Sequence, residues 1–272
     1  MKIRKFLFCL LFVVLLATFL ISGSIIARYI IDSMQQKKEY DELAAMVAHS
    51  RENILQETEP ENTIPVPDQT ELPTAPLEPT IPVILPEYLS AYEDNPDLVG
   101  WMIIDGTPIN YPVMQSPDRT DYYLKRNFNG DYSEHGCLYV RESCDVFAPS
   151  DNLTIYGHHM KDGSMFAGLD NFRSRSFWET HPTIHFDTLY ERHTYTVFAV
   201  FATTASVGEG FSYHLFEDAA DQAEFDEFVA TCKALSDYDT GITPQYGDKM
   251  ICLSTCEYSQ VNGRLVVVAV RD

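Results

Sequence analysis

Ile251-Cys252-Leu253-Ser254-Thr255-Cys256-Glu257-Tyr258-Ser259-Gln260-Val261-Asn262-Gly263-Arg264-Leu265-Val266-Val267-Val268-Ala269-Val270 is the most informative stretch of this 272-residue chain. Ile251 to Ser254 reads as the end of a buried strand, and Leu265 to Val270 as a second apolar strand. Asn262-Gly263 between them is a turn signal, so the two runs form a hairpin. Cys256 stands at the mouth of that hairpin and Arg264 opens the return strand. A turn over so few residues keeps the two side chains close in space. A fixed cation beside a thiol favours the thiolate. An arginine stays charged at any relevant pH and donates hydrogen bonds to a developing oxyanion.

Outward from the hairpin, short runs rich in Val, Ile, Tyr, Phe and Thr recur, most of them bounded by Gly, Pro, Asn or Asp. They predict strands over 99–104, 109–114, 136–140, 153–157, 183–186, 193–203, 249–253 and 265–270. Eight short strands in about 185 residues imply a mostly β fold, a closed barrel or a sandwich. Helices are expected over 86–92 and 164–172. A better case lies over 218–235, where Ala219, Phe225, Phe228, Val229 and Cys232 recur at helical spacing.

A base to serve Cys256 is expected at another strand end, and Tyr156-Gly157-His158-His159 fits: an apolar strand broken by Gly and followed by His. If 153–159 stay extended, the two imidazoles point to opposite faces, so only one faces the thiol. The same geometry argues against joint metal chelation, and nothing else in the pattern calls for a metal or cofactor. Cys252 and Cys256 would stand about 13 Å apart on a straight strand, too far for a mutual disulfide. Of six cysteines, Cys9 lies in the apolar N-terminus, which leaves Cys137, Cys144, Cys232, Cys252 and Cys256. An odd number requires at least one free thiol or an intermolecular pair.

The formal net charge is −21. Lys2, Arg4, Lys5 and Arg28 are the only charged residues among the first thirty, so the remainder is more acidic still. Such a body repels phosphate backbones, which argues against nucleic acid as a partner. Phe6 to Ala27 is apolar except for Ser22-Gly23-Ser24, and as a helix it would be roughly 33 Å long, enough to span a bilayer core. The basic cluster before it predicts a cytoplasmic N-terminus and an extracellular body. A cleaved signal peptide is the competing reading, disfavoured by the length of the run and a poor cleavage site. Residues 32–56 favour a short helix next to the membrane. Residues 57–86 hold eight prolines, no aromatic residue and no Lys or Arg. They read as a stiff spacer with a reach of roughly 90 Å. The expected organisation is therefore a tail and anchor over 1–31, a helix and spacer over 32–84, and a catalytic domain over 85–272.

Tyr156-Gly157-His158, then Leu253-Ser254-Thr255-Cys256, then Arg264 followed by Val266-Val267-Val268, resemble the sortase family. Asn95-Pro96-Asp97-Leu98-Val99-Gly100-Trp101, Ile109-Asn110-Tyr111-Pro112-Val113-Met114-Gln115, His158-His159-Met160-Lys161 and the helix inserted at 218–235 resemble class B in particular. The resemblance covers roughly 85–272 and implies a sortase-type barrel of about eight strands with flanking helices. It implies His158, Cys256 and Arg264 as the catalytic set, with Tyr156, Ser254, Thr255 and Glu257 bordering a groove for the substrate peptide. It implies a membrane-anchored cysteine transpeptidase of a Gram-positive-type envelope. Such an enzyme cleaves a C-terminal sorting motif of secreted proteins and transfers the acyl group to an amine of peptidoglycan precursor or pilin. Cys137 and Tyr258 depart from the usual class pattern, and some members carry Asp in place of the latter. Two rival readings are a hydrolytic cysteine endopeptidase and a non-catalytic surface-binding module.

Overall fold

The computed structural model describes residues 2–57, 82–206, 208–259 and 261–272. The spacer expected over 57–86 lies outside the described residues except at its two ends. The chain divides into two compact units, 1–42 and 43–272. Helix α1 runs unbroken over Lys2–Glu57. It joins the expected spanning helix and the helix expected over 32–56 into one, and Ser22-Gly23-Ser24 do not break it: serine and glycine each cost a helix interior about 1 kcal/mol or less. It is the one helix among the described residues long and apolar enough to cross a membrane, and the apolar part is wholly exposed.

The larger unit is built on eight strands: β1 (Leu98–Ile103), β2 (Asn110–Met114), β3 (Leu138–Val140), β4 (Asn152–Tyr156), β5 (Thr183–Thr188), β6 (Thr194–Thr204), β7 (Met250–Cys256) and β8 (Gly263–Arg271). They close in the order β1-β2-β3-β4-β7-β8-β6-β5. The pairs β2/β3 and β4/β7 are parallel and the rest antiparallel. All eight expected strands are present. β7 runs three residues further than its sequence implied, because β8 continues to pair with it as far as Cys256 opposite Arg264. Ladder bonds to a partner strand override the modest strand preference of Ser254 and Cys256.

Three further helices flank the barrel, α2 (Pro86–Asp94), α3 (Arg175–Thr180) and α4 (Gln222–Leu235), with a 3-10 turn over Phe166–Arg173. The helix expected from 218 starts at 222, because Asp221 caps it: its carboxylate accepts from Glu224 N at 3.0 Å. Alternation along β7 sends Met250 and Cys252 to the outer face, where α4 covers them with Phe225, Phe228, Val229 and Cys232. Each large apolar side chain buried there contributes about 1.5–3 kcal/mol. Ser254 and Cys256 continue the same outward-facing row, past the end of the helix cover.

Candidate active site

Three neighbouring strand ends build the site. Parallel pairing brings Tyr156 of β4 level with Ser254 of β7, and antiparallel pairing sets Arg264 of β8 opposite Cys256. The side chains beyond these ends line a cavity of about 280 Å³. His158, Cys256 and Arg264 line it together, as do Tyr156, Ser254 and Thr255. Glu257 is not among the lining residues. Its carboxylate instead accepts from Ser259 at 2.6 Å and pairs with Arg173 at 3.4 Å. Ionic and hydrogen-bonded partners hold it below the usual carboxylate range, the Ser259 hydroxyl foremost.

β4 stops at Tyr156, so the two histidines that follow are not strand residues. Gly157 leads out of the strand, where a Cβ would sit 2.5 Å from Leu138 and 2.6 Å from Phe166. Any side chain there forces Leu138 and Phe166 to shift. His158 turns into the cavity, and its Nε2 lies 2.6 Å from the Leu124 carbonyl. A carbonyl only accepts, so Nε2 carries the hydrogen and Nδ1 is the nitrogen left to gain or lose a proton. Burial lowers the His158 pKa, against the opposing effect of the Leu124 bond. His159 faces another way and reaches Asp170 through Nε2 at 2.6 Å.

The thiols divide by surroundings. Burial pushes Cys144 up to about 11 and raises Cys232 and Cys252 as well, which keeps them protonated and inert. Cys256 is half-buried at the cavity, while Cys137, Cys144, Cys232 and Cys252 are all buried. Arg264 donates to the Asn262 and Gly263 carbonyls at 3.4 and 3.0 Å, which folds its guanidinium back over its own turn.

Sequence reasoning missed the walls of the cavity. Tyr139 and Asp121 form one side, joined by a 2.8 Å bond from the Tyr139 hydroxyl. Tyr213 and His214 form another, delivered by a 3-10 turn over Tyr213–Leu215. Tyr213 and Ser254 share a hydroxyl contact of 2.6 Å, and burial pushes the phenol up to about 12. Burial, then the Arg141 and Arg264 cations, lower the His214 pKa. No strand-end signature marks His214, since a turn inside a long connection brings it there.

The cavity combines a thiol, an imidazole with one free nitrogen and a guanidinium, in a cleft walled largely by tyrosines and polar side chains. That set is suited to acyl transfer through a thioester. A sortase domain model matches residues 102–272. Sortase B of Staphylococcus aureus is 30% identical over 188 residues, which cover 68% of this chain and 75% of that protein. Sortase B of Listeria monocytogenes is 33% identical over 175 residues, covering 64% and 69%. Among solved structures, the S. aureus sortase B–substrate complex superposes with a TM-score of 0.72 at 25% identity, over 89% of this chain and 98% of that one. Sortase B from B. anthracis gives 0.69 at 29% identity, over 89% and 98%.

Proposed function

Since this chain belongs to the sortase family of cysteine transpeptidases, class B, we propose that Cys256 is its nucleophile, His158 its acid–base and Arg264 its oxyanion donor. The observation that carries the assignment is the register: Cys256 and Arg264 are direct partners on β7 and β8, and His158 lines the same cavity. The Cys256 thiolate attacks a backbone carbonyl of a sorting peptide, forming a C–S bond. Arg264 stabilises the tetrahedral oxyanion. As the C–N bond breaks, His158 gives its Nδ1 proton to the leaving amine. An incoming amine then attacks the thioester, the C–S bond breaks, and His158 takes up the amine's proton. Burial disfavours the imidazolium form of His158, so the protonated fraction at neutral pH is small and turnover is slow.

The peptide lies along Tyr156, Ser254 and Thr255, with Glu257 at its margin. The substrate is a secreted protein with a C-terminal sorting signal, and the acceptor an amine of peptidoglycan precursor or pilin. Helix α1 anchors the enzyme, with the N-terminus in the cytoplasm and 85–272 outside as the catalytic domain. Support for the anchor comes from the length and apolarity of the helix and the basic residues that precede its apolar run.

The test uses the full chain in detergent with a library of Thr-containing peptides and an added amine. Wild type forms a thioacyl adduct at Cys256, visible by mass spectrometry, and an amide product whose yield rises with amine. Cys256→Ala forms neither. A Cys256→Ala enzyme that still transfers peptide refutes the assignment, and product that is hydrolysed whatever the amine favours an endopeptidase.

A further inference from the structure

The ladder between β4 and β7 ends at Tyr156 opposite Ser254, and its last backbone bond runs from Gly157 N to Ser254 O at 3.1 Å. Cys256 and His158 both lie beyond it, each two residues further along the chain. Two side-chain hydroxyls take over where that ladder stops. Thr255 Oγ1 donates to the Gly157 carbonyl at 2.8 Å, and the Tyr258 hydroxyl donates to the His159 carbonyl at 3.1 Å. The two acceptors are the carbonyls on either side of His158. The two donors bracket Cys256.

From this arrangement we infer that Thr255 and Tyr258 are positioning residues that lock the imidazole-bearing segment to the thiol-bearing one. The inference rests on the assignment of Cys256 and His158 made above. Packing needs do not place the Tyr258 hydroxyl there, and burial leaves the Thr255 hydroxyl one partner. Thr255 is 2% exposed, so its hydroxyl would be an orphan without Gly157. Tyr258 is 70% exposed and gains little from burial; what it makes is the bond to His159 O and an edge-on contact with the His159 ring, 5.4 Å between centroids. That ring is itself fixed by Asp170 at 2.6 Å. Tyr258 therefore hooks the turn side of the hairpin onto a braced point, and Thr255 does the same from the strand side. Between them the carbonyls at 157 and 159 are held, and with them the direction of His158. A hydroxyl-less side chain at either position leaves the two segments joined by one link instead of two. A misplacement of about 1 Å is enough to slow acyl transfer.

The experiment compares Tyr258→Phe, Thr255→Val and Thr255→Ser in the full chain in detergent, with Cys256→Ala as control. The probe is a fluorescence-quenched Thr-containing peptide that wild type cleaves. Tyr258→Phe lowers kcat roughly threefold to tenfold with KM unchanged, Thr255→Val lowers kcat by a similar factor, and the double variant lowers it further. Thr255→Ser, which keeps the hydroxyl, restores most of the kcat that Thr255→Val loses. An unchanged kcat, a loss confined to KM, or a Thr255→Ser enzyme as slow as Thr255→Val overturns the inference. If Cys256→Ala is inert while Tyr258→Phe and Thr255→Val match wild type, the clamp fails and the catalytic assignment stands. An active Cys256→Ala enzyme removes both.

Discussion

Arg51→Ala is expected to destabilise the larger unit without touching the cavity. Arg51, in the last turns of α1, reaches three partners: Nε lies 3.3 Å from Glu87 Oε1, Nη2 lies 2.5 Å from Asp187 Oδ2, and Nη2 also contacts the Tyr88 hydroxyl. Glu87 has no exposed side-chain surface and Asp187 only 8%. Removing one partner of a buried ion pair costs about 3–5 kcal/mol, because the remaining charge is left uncompensated. Here the loss is partial. Arg192 still pairs with Glu87, Tyr88 still donates to Asp187 at 2.6 Å, and Arg51 itself is 30% exposed. A cost of about 2–3 kcal/mol remains, or about 4–12 °C in Tm for a domain of this size. Arg192→Ala removes a guanidinium that is 56% exposed and should cost less, about 1 kcal/mol. Thermal unfolding of the full chain in detergent, followed by near-UV circular dichroism, measures both, and peptide cleavage well below Tm should be unchanged in each. An Arg51→Ala protein melting within about 1 °C of wild type, or an Arg192→Ala protein melting lower than it, refutes the reasoning.

Gly157→Ala drives a methyl into Leu138 and Phe166, at a cost of about 1–3 kcal/mol. Because the next residue is His158, kcat should fall at least about tenfold while the fold persists; a Gly157→Ala enzyme with wild-type kcat and an unchanged circular dichroism spectrum would contradict this. Stability should also decline in acid. Burial is the leading cause of the lowered values of His158, His193 and His214, so each is held neutral in the fold. Their contribution is present above the unfolded value of about 6.5 and is lost as pH falls through the lower folded values. Urea midpoints between about pH 7 and 5 measure the slope, which His193→Gln should flatten; a midpoint that rises towards acid is the opposing result.

The strands were legible because each is a local signal: β-branched or aromatic residues between turn formers. So was the contact between Cys256 and Arg264, since eight residues and one turn fix it. The end of β7 was not legible, because Ser254, Thr255 and Cys256 form no apolar run of their own and are extended by β8. The start of α4 was misplaced for the converse reason. Ala219 continues the apolar face, but the Asp221 cap ends the helix first. Tyr213 and His214 carry no mark of function in the sequence at all. Their place in the cavity depends on a hydroxyl contact with Ser254, forty-one residues away.

The step that sequence alone could least supply is the one that brings His158 to Cys256. Parallel strands need a long crossover, so no turn signal announces β4 beside β7. About a hundred residues separate them in the chain, and β5, β6 and α4 all lie between. Backbone pairing then carries the two strands level only as far as Tyr156 and Ser254. Beyond that point the fold has no ladder to set the distance between imidazole and sulfur, and side chains must do it. The hydroxyls of Thr255 and Tyr258 stand in that gap, one on the strand and one past it. A barrel thus fixes which residues meet; on the proposal above, the Thr255 and Tyr258 hydroxyls, with the Leu124 carbonyl on the ring itself, set how closely. The rate of such an enzyme should respond to those bonds far more than its stability does.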